Sequence, residues 1–167
     1  MSPERDLPVT RAARPLLAIF WGGLLAGIGD ITQAFIVFGY YGAKPLRILQ
    51  SIAAGLLGPA SFQGGYATAA LGSVLRFVIA FGAATVFYVA SRYLSFLTRH
   101  AVIAGMLFGE AVYLFMYYVV IPLSATKRGP FSMGTLITGP FGHMFLVGLP
   151  IALAVRKYAG QTADRSS

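Results

Sequence analysis

The sequence predicts an all-α integral membrane protein, a bundle of four transmembrane helices with one short additional helix. Hydrophobic residues make up 57% of the 167-residue chain and charged residues only 11%, whereas soluble domains carry about 25% charged residues. The hydrophobic residues fall into four long runs, and a helix needs roughly 20 such residues to cross a bilayer. Nearly all Lys and Arg residues lie between or beyond these runs, as in loops beside lipid headgroups.

The runs define one membrane domain, residues 16–158, between two polar tails. The predicted spans cover residues 16–40, 67–91, 101–123 and 132–155. Residues 1–15 form a tail that ends at Pro15, and proline suits the first turn of a helix. Residues 159–167 are polar and are expected to be disordered.

A shorter amphipathic helix is expected at residues 45–58. Pro45 can start it, apolar residues recur at helical spacing, and Gly58-Pro59 end it. It is too short to cross the hydrocarbon core. Two placements remain open: the helix lies flat at the headgroups, or it is re-entrant and lines a pore.

The positive charges predict that both termini face the cytoplasm. The two tails and the second connector hold eight of the 13 Lys and Arg residues, and the other connectors hold four. The side richer in Lys and Arg is normally cytoplasmic. These cations are scattered singly or in pairs, so nucleic-acid binding is not expected and the lipid bilayer is the expected partner. Because the chain has no cysteine, disulfides and thiolate metal sites are excluded.

One ionisable residue interrupts each predicted span. In chain order they are Asp30, Arg76, Glu110 and His143. Counted from the cytoplasmic ends, all four lie at depths of about 14–22 Å. Because an ionisable group inside a membrane is costly without a partner, we expect the four to meet at the bundle axis. Gln33 and Tyr113 are polar neighbours on the same helix faces as Asp30 and Glu110.

The net charge of this predicted cluster indicates that it binds a proton. Two carboxylates and one arginine leave a net negative charge, and one bound proton cancels it. Because burial penalises charge, the cluster is expected to hold one proton and to titrate as a unit. Which residue of the cluster carries this proton remains open.

Small residues permit close helix packing. Gly23 with Gly27, and Gly105 with Gly109, form two small-xxx-small patterns. They predict helix contacts inside the monomer or between the subunits of a homo-oligomer.

Three functions fit the polar cluster. Proton-linked or small-solute transport, or a channel, is favoured because Asp, Glu and His inside membranes mark proton relays, and Gly139-Pro140 before His143 can break a helix at a binding site. Alternatively, the cluster only fixes helix packing in a structural or accessory subunit. The third alternative is an intramembrane hydrolase with a metal ion bound by Asp30, Glu110 and His143. With no nucleotide-binding or nucleophile motif in the chain, no cofactor is expected and a non-enzymatic role is favoured.

Two stretches in the last two spans carry a family resemblance. They are Ala101-Val-Ile-Ala-Gly-Met-Leu through Ile121-Pro122-Leu123, and Phe141-Gly142-His143 with the apolar residues that follow it and Arg156. They resemble the YagU-like group of small bacterial inner-membrane proteins. The run from Pro45 to Gly58 is similar to runs in bacterial hypothetical membrane proteins of about this length. The resemblance implies a bacterial inner-membrane location and transfers no catalytic residue.

Overall fold

The computed structural model of the protein describes residues 13–126 and 133–158. These residues are almost wholly helical and contain no strand. In chain order, the helices are α1 (Pro15–Tyr40), α2 (Pro45–Leu57), α3 (Gly65–Tyr93), α4 (Phe96–Arg99), α5 (Ala101–Leu123) and α6 (residues 133–158). A 3₁₀ segment, Gly58–Gln63, connects α2 to α3.

Four helices in the described part of the chain are long and apolar enough to cross a membrane: α1, α3, α5 and the Thr138–Tyr158 portion of α6. The predicted class, an all-α membrane bundle, is therefore confirmed. The predicted short helix α2 is present, and α4 is a second short helix that was not predicted. α3 is longer than its predicted span by two residues at each end, and α6 continues to Tyr158. Residues 1–12 and 159–167 of the predicted tails, and residues 127–132 between the third and fourth spans, lie outside the described residues.

Glycines explain how α1 and α3 pack. A Cβ atom on Gly23 would collide with the ring of Phe81, and one on Gly27 would collide with the ring of Phe77. The two aromatic rings of α3 therefore occupy the space that side chains of α1 would fill. Gly23 and Gly27 thus form a contact surface within the monomer.

The second glycine pair brings α5 against α6. A Cβ atom on Gly105 would come within 2.9 Å of the carbonyl oxygen of Gly148, and one on Gly109 would collide with the carbonyl of His143. Gly148 in turn packs against the backbone of Gly105 and Gly109. Backbone therefore touches backbone along this interface, and α6 is packed between α1 and α5.

The apolar core lies between the four long helices. Its largest fully buried side chain is Phe87 of α3, whose ring meets that of Phe108 of α5 edge to face, with 5.0 Å between centroids. Ile151 and Val155 of α6 are fully buried beside small alanines of the other helices. Small residues here let the helices approach closely, which provides the packing that stabilises bundles in lipid.

α2 packs against the beginning of α3. The backbone of Leu49 and Ala53 lies directly on Gly72, and the buried Gln50 donates a hydrogen bond from Nε2 to the Gly65 carbonyl at 3.0 Å. α2 ends where Gly58 adopts a φ of +63°, a conformation that favours glycine. The helix therefore begins at Pro45 as predicted and ends at Leu57, one residue before the predicted limit.

Candidate functional site

An ion pair connects the first two long helices. Arg76 Nε of α3 contacts Asp30 Oδ2 of α1, although the two groups are not aligned as a hydrogen bond. The Arg76 side chain is 19% exposed and the Asp30 side chain is 13% exposed. The packing of Gly27 on Phe77 places these two residues at the same level of the bundle. Asp30 Oδ1 is buried and accepts no hydrogen bond from the described residues. One carboxylate oxygen is thus paired and the other is available.

His143 of α6 has one ring nitrogen fixed by the backbone. Its Nδ1 lies 2.9 Å from the carbonyl oxygen of Gly139, one turn earlier. Because a carbonyl can only accept, Nδ1 carries the hydrogen, and Nε2 of the neutral ring keeps a lone pair. The edge of the ring also contacts Tyr113, with 5.3 Å between centroids. These two contacts fix the orientation of the His143 ring, and the contact with the carbonyl requires a hydrogen on Nδ1.

The ion pair and the histidine share one small cavity in the centre of the bundle. Its polar lining consists of Asp30, Arg76 and His143. Its apolar lining consists of Ala26, Ile79, Ala80, Ala83, Val112, Met116 and Val147. All four long helices contribute, and the space accommodates a water molecule. The structure thus brings three of the four predicted ionisable residues together.

Glu110 does not line this cavity, which corrects the prediction of a single four-residue cluster. Gly109 packs on the His143 carbonyl, so Glu110 lies level with His143. However, the lining residue Val112 is two positions further along α5, which is about 200° around a helix. Glu110 therefore projects from the other side of α5, where its buried Oε2 accepts no hydrogen bond from the described residues. None of the four residues is fully buried.

The two predicted polar neighbours contact α6. Gln33 donates from Nε2 to the carbonyl of Thr138 at 2.5 Å, and its amide fills the space left by Gly142. The ring of Tyr113 covers Gly139 and stacks on Tyr117, with 6.1 Å between centroids. These contacts attach the first half of α6 to α1 and α5.

Gln33 gives a test of this attachment. Replacing Gln33 with Ala removes its hydrogen bond to α6, and we expect the free energy of unfolding in detergent to fall by about 1 kcal/mol. Thr32→Ala is the control, because among the described residues the Thr32 hydroxyl bonds only to Ile28 of its own helix. Equal losses in both variants would show that Gln33 does not hold α6.

Two π-helical segments in the long helices were not predicted from the sequence. Met116–Val120 lies in α5 just before Pro122, and His143–Gly148 lies in α6 just before Pro150. In α6 the amide of Leu149 donates to Met144, five residues back. Proline has no amide hydrogen, and its ring clashes with the carbonyl four residues earlier in a regular α-helix. The wider π turn accommodates both the missing hydrogen bond and the ring. The sequence feature that could have indicated each π segment is the proline within the apolar span.

Gly139-Pro140 does not break α6. Pro140 lies inside the regular helix Met133–Gly142, and the irregular segment begins only at His143. The break predicted at Gly139-Pro140 is therefore absent, and α6 continues as a helix through this position. His143 is the first residue of the π segment, so it lies where the α-helix changes to the wider π-helix.

The described residues contain no group of three or more His, Cys, Asp or Glu side chains placed to hold a metal ion. Asp30 and His143 face the cavity together with the cation of Arg76, and Glu110 lies apart, so the three predicted metal ligands do not converge. No family model, curated protein or solved structure matches the chain.

Proposed function

We propose that this protein passes protons across a membrane, alone or coupled to a small solute, through the cavity lined by Asp30, Arg76 and His143. One observation carries the proposal. An imidazole and a carboxylate from different helices face the same water-sized space in the middle of a membrane bundle. Ionisable residues at such depth are expensive and typically mark proton or ion pathways.

The hydrogen bonds of the site suit proton exchange. Nδ1 of His143 donates to the Gly139 carbonyl, which leaves Nε2 as the nitrogen that gains and loses a proton. Asp30 Oδ1 is a second acceptor, because only Oδ2 is engaged by Arg76. A water molecule in the cavity would connect the two acceptors. The small size of the cavity favours protons over larger solutes.

A structural role is the second candidate, and the ion pair favours it. Asp30 and Arg76 join α1 to α3, and polar contacts of this kind hold membrane helices together. This role predicts a loss of stability, without any proton flux, when the pair is removed. Flux measurements therefore separate the two candidates.

The bacterial inner membrane, with both termini cytoplasmic, is the proposed location. Among the described residues, Arg14, Arg92, Arg99, Arg156 and Lys157 lie at the end where α1 begins and α6 ends. The opposite end carries Lys44 and Arg47. This asymmetry supports the orientation through the positive-inside rule. The resemblance to YagU-like inner-membrane proteins supports the same location.

The test is proton uptake into liposomes that contain the purified protein and a trapped pH-sensitive dye, driven by a potassium diffusion potential. The wild type is expected to take up protons several-fold faster than empty liposomes. Asp30→Asn and His143→Gln are each expected to lower the protein-dependent rate by at least about tenfold, since each removes a proton-exchanging group.

Glu110→Gln is the matched control, because it removes a carboxylate at the same depth on the side away from the cavity. It should keep the wild-type rate. Melting temperatures in detergent show whether each variant is folded. A wild-type rate equal to that of empty liposomes would refute the proposal, and an equal loss in Glu110→Gln would refute the assignment to this cavity.

A further inference from the structure

The end of the bundle where α3 and α6 finish carries a cluster of cations, which we call the α4 basic patch: Arg92, Arg99, Arg156 and Lys157. All four side chains are exposed. They belong to three helices, and α4 packs against both the end of α3 and the end of α6. Distant parts of the sequence thus deliver positive charge to one place.

The patch is anchored to the core. Leu97 of α4 and Tyr158 of α6 both pack on the same buried cluster that contains Ala101 and Val155. The backbone amide of Arg14 donates to the Tyr158 carbonyl at 2.8 Å, which brings the start of α1 to the same point. The backbone that carries these cations therefore has fixed positions.

The described residues supply no carboxylate to neutralise the patch. Their two acids are Asp30, which pairs with Arg76, and Glu110. Both lie inside the long helices, at the level of the central cavity. The four positive charges of the patch attract an anion.

Apolar side chains flank the cations. Tyr93 is 84% exposed and Phe96 is 53% exposed, and Leu94 between them is also exposed. Large apolar and aromatic groups next to arginines at a helix end are typical of the membrane interface, where rings sit among the acyl chains and cations reach the phosphates. A water-soluble anion would use the charges but leave these rings uncovered.

We propose that the α4 basic patch binds the phosphate headgroup of an acidic phospholipid. The arginines Arg92, Arg99 and Arg156 contact the phosphate, and Tyr93 and Phe96 contact the acyl chains next to it. Arginine suits this role because its guanidinium presents several donors to a phosphate. This proposal does not depend on proton passage, because the central cavity is not involved.

The test is native mass spectrometry of the protein released from micelles that contain equal amounts of phosphatidylglycerol and phosphatidylcholine. The wild type is expected to retain phosphatidylglycerol in several-fold preference. The triple variant Arg92→Gln, Arg99→Gln and Arg156→Gln is expected to lose that preference, and Arg99→Gln alone is expected to reduce it. The single variant keeps the test decisive if the triple variant does not fold.

The matched control is the double variant Lys44→Gln and Arg47→Gln, which removes exposed cations from the opposite end of the bundle. It should retain the wild-type preference. An excess of soluble glycerophosphoglycerol should not displace the lipid, because it lacks the acyl chains. Equal retention of the two lipids by the wild type, an equal loss in the control, or displacement by the soluble headgroup would each overturn the proposal.

Discussion

Replacing Arg76 with Met is expected to lower the free energy of unfolding by about 3 kcal/mol, since the substitution leaves the partner carboxylate of a largely buried pair uncompensated. Asp30 has only one engaged oxygen, and that oxygen is engaged by Arg76. Its other oxygen is already without a partner among the described residues. The measurement is reversible denaturation in detergent, monitored by loss of helical circular dichroism.

Two further variants identify the cause of that loss. Asp30→Asn combined with Arg76→Met removes both charges, and we expect it to be more stable than Arg76→Met alone. Lys44→Met, at an exposed position near the start of α2, should change stability little. An Arg76→Met protein as stable as the wild type would show that the ion pair contributes nothing to the fold.

Replacing Gly148 with Leu is the second large effect that we expect. A side chain there would collide with the carbonyl of Gly105 and the amide of Gly109, which are backbone atoms of α5 and cannot move aside alone. Forcing extra atoms into a packed interface typically costs about 1–3 kcal/mol, and a contact between two backbones lies at the upper end. The same denaturation assay measures the loss.

Gly82→Leu provides the matched comparison. Gly82 lies on α3, and a Cβ atom there would meet nothing within 4 Å, so a side chain would enter open space. Both substitutions change helix propensity in the same direction, and only Gly148→Leu creates a collision. If the two proteins unfold at the same denaturant concentration, the close contact between α5 and α6 does not exist.

The architecture was predictable because the membrane imposes it. Apolar runs of about 20 residues specify spans whatever the tertiary contacts. Pro45 and Gly58 specified the limits of α2 through their backbone preferences. The π segments before Pro122 and Pro150 were not predicted, because a proline in a span can be accommodated by a kink, by a water molecule or by a wider turn, and packing decides among these.

The site was only partly predictable, and α5 shows why. Depth along a helix follows from counting residues, but the direction of a side chain depends on how the helix is rotated about its axis. Gly105 and Gly109 turn one face of α5 toward α6. That rotation directs Val112 into the cavity and Glu110 away from it. The glycine pattern was visible in the sequence, but it does not specify which helix, or which subunit, packs against that face.

The central claim is that His143 belongs to the same polar site as Asp30 and that Glu110 does not. It is tested most directly by ¹⁵N magnetic resonance of the His143 ring in bilayers, with His100→Gln leaving one histidine of the two in the chain. We expect a spectrum with the hydrogen on Nδ1, resonances that shift in Asp30→Asn, and unchanged resonances in Glu110→Gln. Resonances that respond to Glu110→Gln and not to Asp30→Asn would contradict the claim.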